Sequence, residues 1–125
     1  MKMVIVMRKD LNMRKGKMCA QAGHAVLGAM TTALNMFEKE KYTNWYKDNL
    51  QTKICLGANS EQELLDIYRA GLERGFVVYL VEDYGLTEFH QEHTLTCLAF
   101  EPLEDEQIDA ITGGLSLLWN TKWLL

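Results

Sequence analysis

The sequence predicts an α/β layer fold built around a mostly buried sheet. Three observations carry this. Four short apolar runs, at 3–7, 52–57, 76–81 and 95–100, have the length and the β-branched or aromatic content of strands. Helical patterning fills the intervals after the first, second and last of them, so strands and helices alternate in the order β-α-α-β-α-β-β-α. The 125 residues suit one domain, with 48% hydrophobic and 24% charged residues and a single proline, Pro102. A chain of this length buries roughly two-thirds of its unfolded surface and needs no disulfide or metal to hold a core.

The elements follow in order. Met3–Met7 (MVIVM) is a continuous apolar run, as expected of a strand covered on both faces. Arg8–Gly16 is polar and reads as a loop. From Lys17 to Phe37 alanine is dense, and Met18, Ala22, Ala25, Ala29 and Ala33 recur at helical steps, a small-residue stripe fit for close approach to a sheet. Glu38–Asn49, charged with Trp45 and Tyr46 embedded, predicts a short amphipathic helix. Thr52–Gly57 alternates as a strand. Ser60 with Glu63 forms a capping box for a helix whose apolar face is Leu64, Leu65, Tyr68 and Leu72, ended by Gly75. Phe76–Val81 reads as a second strand buried on both faces, and Leu95–Phe100 as the fourth. The dozen residues between them show no helix, so these two strands are expected to be antiparallel neighbours in a mixed sheet. Glu104, Asp105 and Glu106 favour a last helix start, with Ile108, Ile111 and Leu115 inward and Gly113–Gly114 as its end.

No apolar run reaches the ~20 residues of a membrane span, and the N-terminus has no signal-peptide pattern. Three widely spaced cysteines, Cys19, Cys55 and Cys97, suit buried thiols in a reducing compartment, so the expected address is cytoplasmic. Net charge is −4, yet residues 1–17 hold six basic groups against one acid, a net of +5. The remainder holds seven against sixteen, a net of −9. Such a local positive patch can hold phosphates on an acidic protein, because screening limits distant charge; a solvated basic turn has the same signature.

Lys17, Gln21, His24 and Gly28 are spaced to share one helix face. Lys17 falls in the first turn, where free amides and the helix dipole favour an anion. The alternative is an exposed polar stripe opposite the alanines. Asp83-Tyr84-Gly85-Leu86-Thr87 directly follows a strand, the end of an α/β sheet where ligands gather; Asp83 is equally suited to forming a turn. His90 and His93, with Glu88 and Glu92, make only a weak metal pattern. There is no G-x-S-x-G, G-x-G-x-x-G or G-x-x-x-x-G-K-[ST] segment.

Residues 13–25 (MRKGKMCAQAGHA) resemble the M-G-K-G-K-x-A-A-Q-x-x-H-A motif of the type-2 peptidyl-tRNA hydrolases. Arg8-Lys9-Asp10-Leu11 is similar to that family's V-R-x-D-L, and Asp83–Thr87 to its D-A-G-R-T, with Thr94 at a further threonine. The likeness spans roughly residues 3–118. It implies a single three-layer domain, a mixed four-stranded sheet flanked by helices on both faces, often as a homodimer. It implies hydrolysis of the ester joining a peptide to the 3′ end of tRNA, with no metal or organic cofactor. Lys17, Asp83 and Thr87 fall on its catalytic positions; Gln21, His24 and Thr94 fall on associated ones, and Lys15 and Arg14 join the basic substrate face. Arg14 stands where the family has glycine, Tyr84 and Leu86 replace alanine and arginine, Glu88 replaces glutamine, and Glu92-His93 replace Pro-Gly. Losing an arginine and gaining acids weakens RNA attraction. A non-catalytic tRNA- or protein-binding module, or a hydrolase of small esters or amides, are the alternatives. The tail Trp119–Leu125 lies past the likeness, expected either to pack back on the domain or to form a dimer contact.

Overall fold

A computed structural model of the protein describes residues 1–84 and 93–118. The elements are β1 (Met3–Arg8), α1 (Lys15–Met36), a 3₁₀ turn (Lys39–Tyr42), a π-helical turn (Asn44–Asp48), β2 (Lys53–Ala58), α2 (Glu61–Glu73), β3 (Val78–Asp83), β4 (Thr94–Phe100) and α3 (Asp105–Thr112). The described strands form one sheet in the order β2-β1-β4-β3. β1 and β2 are parallel, and β4 is antiparallel to both β1 and β3. β1, β2 and β3 therefore run the same way. Their last residues Arg8, Ala58 and Asp83 share one end of the sheet with the first residue of β4, Thr94.

Strand alternation sorts the core into two layers. Met3, Ile5, Met7, Cys97, Ala99 and Val81 pack under α1 and the 3₁₀ and π turns. Val4, Val6, Leu56, Leu98 and Phe100 pack against α2 and α3 through Leu64, Ile67 and Ile108. Helices thus cover both faces. The alanine stripe does what its small side chains allow: Ala25, Ala29 and Ala33 are fully buried, and α1 lies close on β4 and β3. Residues 116–118 run antiparallel along the free edge of β2, through Gly57 N to Ser116 O and Leu118 N to Cys55 O, both 3.0 Å.

The structure corrects several expectations. The strand expected at 76–81 runs instead from Val78 to Asp83 and lies at the sheet edge, and Tyr79 is 41% exposed; its apolar sequence reflects α1 on one face and α2 on the other, with no strand beyond it among the described residues. Leu72 is 49% exposed, and Gly71 faces the sheet in its place, because a Cβ there would come 2.5 Å from Cε1 of the buried Phe100 ring. Residues 38–49 form two tight turns that bury Tyr42 and Trp45. The capping box of α2 is half made: Ser60 accepts from Glu63 N at 3.1 Å, but the Glu63 carboxylate accepts from Asn59 N. Cys19 is exposed, not core. Gly75 ends α2 at φ 76°, a left-handed position that glycine adopts without a Cβ clash.

Candidate active site

The site begins with an i+4 row on α1. Lys17, Gln21, Ala25, Ala29 and Ala33 lie one above another, four residues apart. The polar pair is therefore not opposite the alanine stripe, as the polar-stripe alternative had it. It is the same ridge continued to the helix start, where the ridge leaves the core and meets the end of the sheet. Gln21 is only 3% exposed. Its side-chain oxygen accepts from Thr96 Oγ1 at 2.5 Å, and its backbone oxygen accepts from the Cys97 thiol at 3.4 Å.

Those two contacts mark a bulge. Val81 pairs with Cys97 and Glu82 with Leu95, so the register slips by one and Thr96 is the extra residue. Thr96 and Cys97, adjacent in sequence, both reach α1. Leu95 in consequence packs into the α2 layer, and by alternation Thr94 returns to the α1 face. There it sits opposite Asp83. Asp83 in turn meets the ammonium of Lys17, with Nζ 3.1 Å from Oδ1 and side chains 15% and 17% exposed. Two groups sixty-six positions apart in the sequence are thus brought together. A shielded carboxylate can accept a proton from water, and an adjacent ammonium can stabilise a developing oxyanion.

The loop that delivers α1 is pinned from below. Arg8 is 9% exposed; its guanidinium donates to both oxygens of Asp10, at 3.1 and 2.6 Å, and to Leu95 O at 3.0 Å. The hydrogen bond from Arg8 holds the Asp10 carboxyl below its usual range, partly offset by burial. Asn12 takes φ 53°, a left-handed turn that asparagine tolerates, and Met13 is buried at 6%. The helix then opens with Arg14 as cap residue. Arg14 lends no side-chain cap bond, and the first turn has no acid. The charged residues of the turn itself, Lys15 and Lys17, are both cations, a setting for an anion such as the Asp83 carboxylate or a substrate phosphate.

The expected basic patch is smaller than six groups. Lys2 lies at the far end of β1, paired with Asp109 at 2.9 Å, and Arg8 is spent on Asp10. Lys9 lays its stem across Gly57, where a Cβ would come 2.6 Å from Cδ. Arg14 and Lys15 stay exposed beside Lys17. His24 is exposed on α1, seven residues and so about 10 Å along the axis from Lys17. Thr87 and His90 lie outside the described residues. His93 pairs with Glu82 at 2.6 Å and packs edge-on against Tyr84, with ring centroids 4.4 Å apart. Among the described residues no cluster of three or more metal-ligating side chains occurs. Sequence reasoning missed Thr96 and Arg8. A bulge leaves no periodic signal in a seven-residue strand, and Arg8 was counted with the basic groups of residues 1–17 and quoted in the family's opening turn, with no role assigned to it.

The model of the family described as peptidyl-tRNA hydrolase PTH2 matches residues 1–118. A peptidyl-tRNA hydrolase of Methanothermobacter thermautotrophicus is 45% identical over 118 residues, covering 94% of this chain and all of that protein. Those of Nanoarchaeum equitans and Methanocaldococcus jannaschii are 45% and 42% identical over 118 residues, covering 93% and 94% of this chain and 97% and 100% of theirs. A solved protein of unknown function from Agrobacterium tumefaciens shares the fold, with TM-score 0.56 and 12% identity over 94% of this chain and 97% of that one. With the family match running through every described element, the chain belongs to the peptidyl-tRNA hydrolase PTH2 family.

Proposed function

We propose that this protein hydrolyses the ester between a peptide and the 3′ end of tRNA, with Lys17 and Asp83 at the reacting centre. The observation that carries the reading is their 3.1 Å pairing at the carboxyl end of three co-directional strands, beside the open N-terminus of α1. Asp83 takes a proton from water as its oxygen attacks the ester carbonyl. Lys17 and the first-turn amides stabilise the tetrahedral oxyanion. As the intermediate collapses, the ribose oxygen leaves with the proton held by Asp83, and the freed peptide carries a new carboxylate. Thr87 orients the water, and Thr94 flanks Asp83 from the neighbouring strand. Arg14 and Lys15 attract the phosphates of the acceptor end; His24 adds a contact farther along α1. Gln21 serves by holding the bulge.

The chemistry needs neither metal nor organic cofactor. Family resemblance adds a cytoplasmic, homodimeric setting, and sedimentation over a range of concentrations checks the second. No described helix is long and apolar enough to cross a membrane. Single-turnover cleavage of peptidyl-tRNA tests the site. Lys17→Ala and Asp83→Asn are each expected to slow ester release by ~10²-fold or more, the usual loss for one oxyanion donor or general base. Rates within about threefold of the parent would refute the assignment. Replacing Arg14 and Lys15 by alanine together should flatten the salt dependence of binding by a log–log slope of about one to two.

A further inference from the structure

A concavity of about 880 Å³ lies away from this site, between α1 and the tight turns at 39–48. One wall is a row on α1 with residues four apart, Ala22, Val26, Met30 and Leu34. That row is one step round the helix from the alanines that face the sheet. Leu27 stands beside it and is 68% exposed. The facing wall is preformed. Tyr42 Oη donates to Glu101 at 2.6 Å and Trp45 Nε1 to Thr52 O at 2.9 Å, and Tyr46 completes the wall, 59% exposed. Apolar surface of this extent is seldom left to water.

Charge and shape say what fits there. Among the described residues, the charged groups lining the groove are Lys39, Lys47 and Lys53, all cations, on a chain whose acids outnumber its lysines and arginines by 17 to 13. The neighbouring Glu38, Glu40 and Asp48 do not line it. An apolar trough edged by ammonium groups is complementary to an apolar stripe edged by carboxylates. The α1 row from Ala22 to Leu34 is about 18 Å long, the rise of about twelve helical residues. A furrow of that length beside an i+4 row is what another helix packs into. The backbone adds a further sign. Leu50 and Gln51 are both left-handed, with φ 50° and 58°, a conformation costly to any residue with a Cβ. Gln51 lines the groove, and Leu50 next to it is 83% exposed. Glycine would hold this turn with less strain; leucine keeps an apolar side chain in solvent beside the groove.

We propose that this groove docks an acidic amphipathic helix of a partner protein, laid along α1 between the Ala22–Leu34 row and the Trp45–Tyr46 wall, with carboxylates on its flanks meeting Lys39, Lys47 and Lys53. Apolar residues at i, i+4, i+7 and i+11 give such a helix the edge that enters the furrow. Its acids set the choice of partner, because the same lysines repel a basic helix of equal apolar pattern. The site is separate from the candidate active site: none of Lys17, Gln21, Asp83 and Thr94 lines it.

Two labelled synthetic helices of about sixteen residues test this on the full chain by fluorescence anisotropy; they share one apolar pattern and differ only in carrying glutamate or lysine on the flanks. The glutamate helix should bind about tenfold or more tightly than the lysine helix at low salt, and the gap should narrow as salt rises. Leu27→Glu, a change at an exposed residue, should weaken the glutamate helix by about tenfold. The exposed pair Lys39→Glu/Lys47→Glu should reverse the preference between the two peptides, which a loss of folding would not do. Equal affinity of the parent for both peptides, or a preference that the charge reversal leaves unchanged, overturns the proposal. Self-association in sedimentation that Leu27→Glu abolishes, with neither peptide bound, overturns it in favour of a second copy on this face. Saturable binding of dodecanoate with neither peptide bound overturns it in favour of a small anionic amphiphile. None of these readouts depends on ester hydrolysis.

Discussion

Two lysine–carboxylate pairs in this molecule share one separation, 3.1 Å, and sit at opposite ends of the sheet. Lys17–Asp83 closes the end where β1, β2 and β3 finish. Lys41–Glu101 closes the other, just past β4. Glu101 is 1% exposed, and both of its oxygens are taken up by the chain: Oε1 accepts from Lys41 Nζ and from Tyr42 Oη at 2.6 Å, and Oε2 accepts from Val77 N at 2.7 Å. Asp83 and Lys17 keep 17% and 15% of their side chains open to solvent. Equal distances therefore go with different surroundings. A sheathed carboxylate ties a turn to two strand ends; one left partly open beside a helix N-terminus has room for a reactant.

The sharpest way to break this comparison is to remove each carboxylate in turn. Glu101→Ala strands a buried amide, a phenol and an ammonium. It should cost about 3–5 kcal/mol in urea unfolding, while the folded fraction keeps its rate per molecule. Asp83→Asn should cost at most about 1 kcal/mol, as partly exposed pairs do, while ester release collapses. If the two variants lost stability equally, the distinction between a structural and a working pair would be wrong.

A second prediction concerns the bulge that puts Thr94 opposite Asp83. Gln21→Leu leaves Thr96 without its buried acceptor, which should cost about 1–3 kcal/mol. Because a small displacement of a positioned group is felt strongly in rate, kcat should fall about tenfold with little change in KM. A loss confined to KM would mean that Gln21 contacts substrate directly.

How much of this was legible in the sequence depends on the range of each cause. The strands, the alanine-rich helix, the Ser60 cap and the Gly75 stop are local effects, set by side-chain size, branching and φ preference, and all lie within two residues of where the residues predicted. The antiparallel pairing of β3 and β4 was suggested by a connection of about a dozen residues that shows no helix for a crossover. What was misread depends on neighbours far along the chain. Phe76–Val81 looks buried on both faces because two helices flank it, and nothing local reveals an open edge. Leu72 looks inward until Phe100 claims the space beneath Gly71. Lys17 and Asp83 stood out by position, at a helix start and a strand end. Only the family motifs tied them to one reaction, since helical spacing left an ordinary polar stripe open for Lys17 and a turn equally open for Asp83. Thr87, named in the same way, lies outside the described residues.

The two glycines on the inner sides of the helices give a smaller, directional test. A methyl at Gly71 would come 2.5 Å from Phe100 Cε1, a ring with no exposed surface. A methyl at Gly28 would come 2.3 Å from Tyr79 Cδ2, on a ring 41% exposed at the sheet edge. The nominal overlap is worse at Gly28, but Tyr79 can swing outward and Phe100 cannot. Gly71→Ala should therefore lower stability by about 1–3 kcal/mol. Gly28→Ala should stay below about 1 kcal/mol, its helix-propensity gain offsetting part of the shift. Thermal unfolding of the two variants would decide it, and a larger loss at Gly28 would show the edge to be as rigid as the core.

The gentlest probe is pH. Burial pushes the Cys97 thiol up to about 12, with the Thr96 hydrogen bond opposing, and pushes Cys55 up to about 11. Burial, then the bond to Glu101, also raises the Tyr42 phenol at the other end. In each case the folded state favours the neutral form. The stability this lends is therefore whole below the unfolded thiol value of about 9 and is lost as pH rises towards the folded values, since the unfolded chain gives up protons that the folded chain keeps. Each such thiol contributes a slope approaching about 1.4 kcal/mol per pH unit in that window. Cys97→Ala opens a small cavity and lowers stability at pH 8, yet between pH 9 and 10 its unfolding free energy should fall less steeply than the parent's by about that amount. Parallel slopes would mean that Cys97 ionises as readily folded as unfolded, and that the layer between the bulge and α1, on which the Asp83–Thr94 register depends, is open to water.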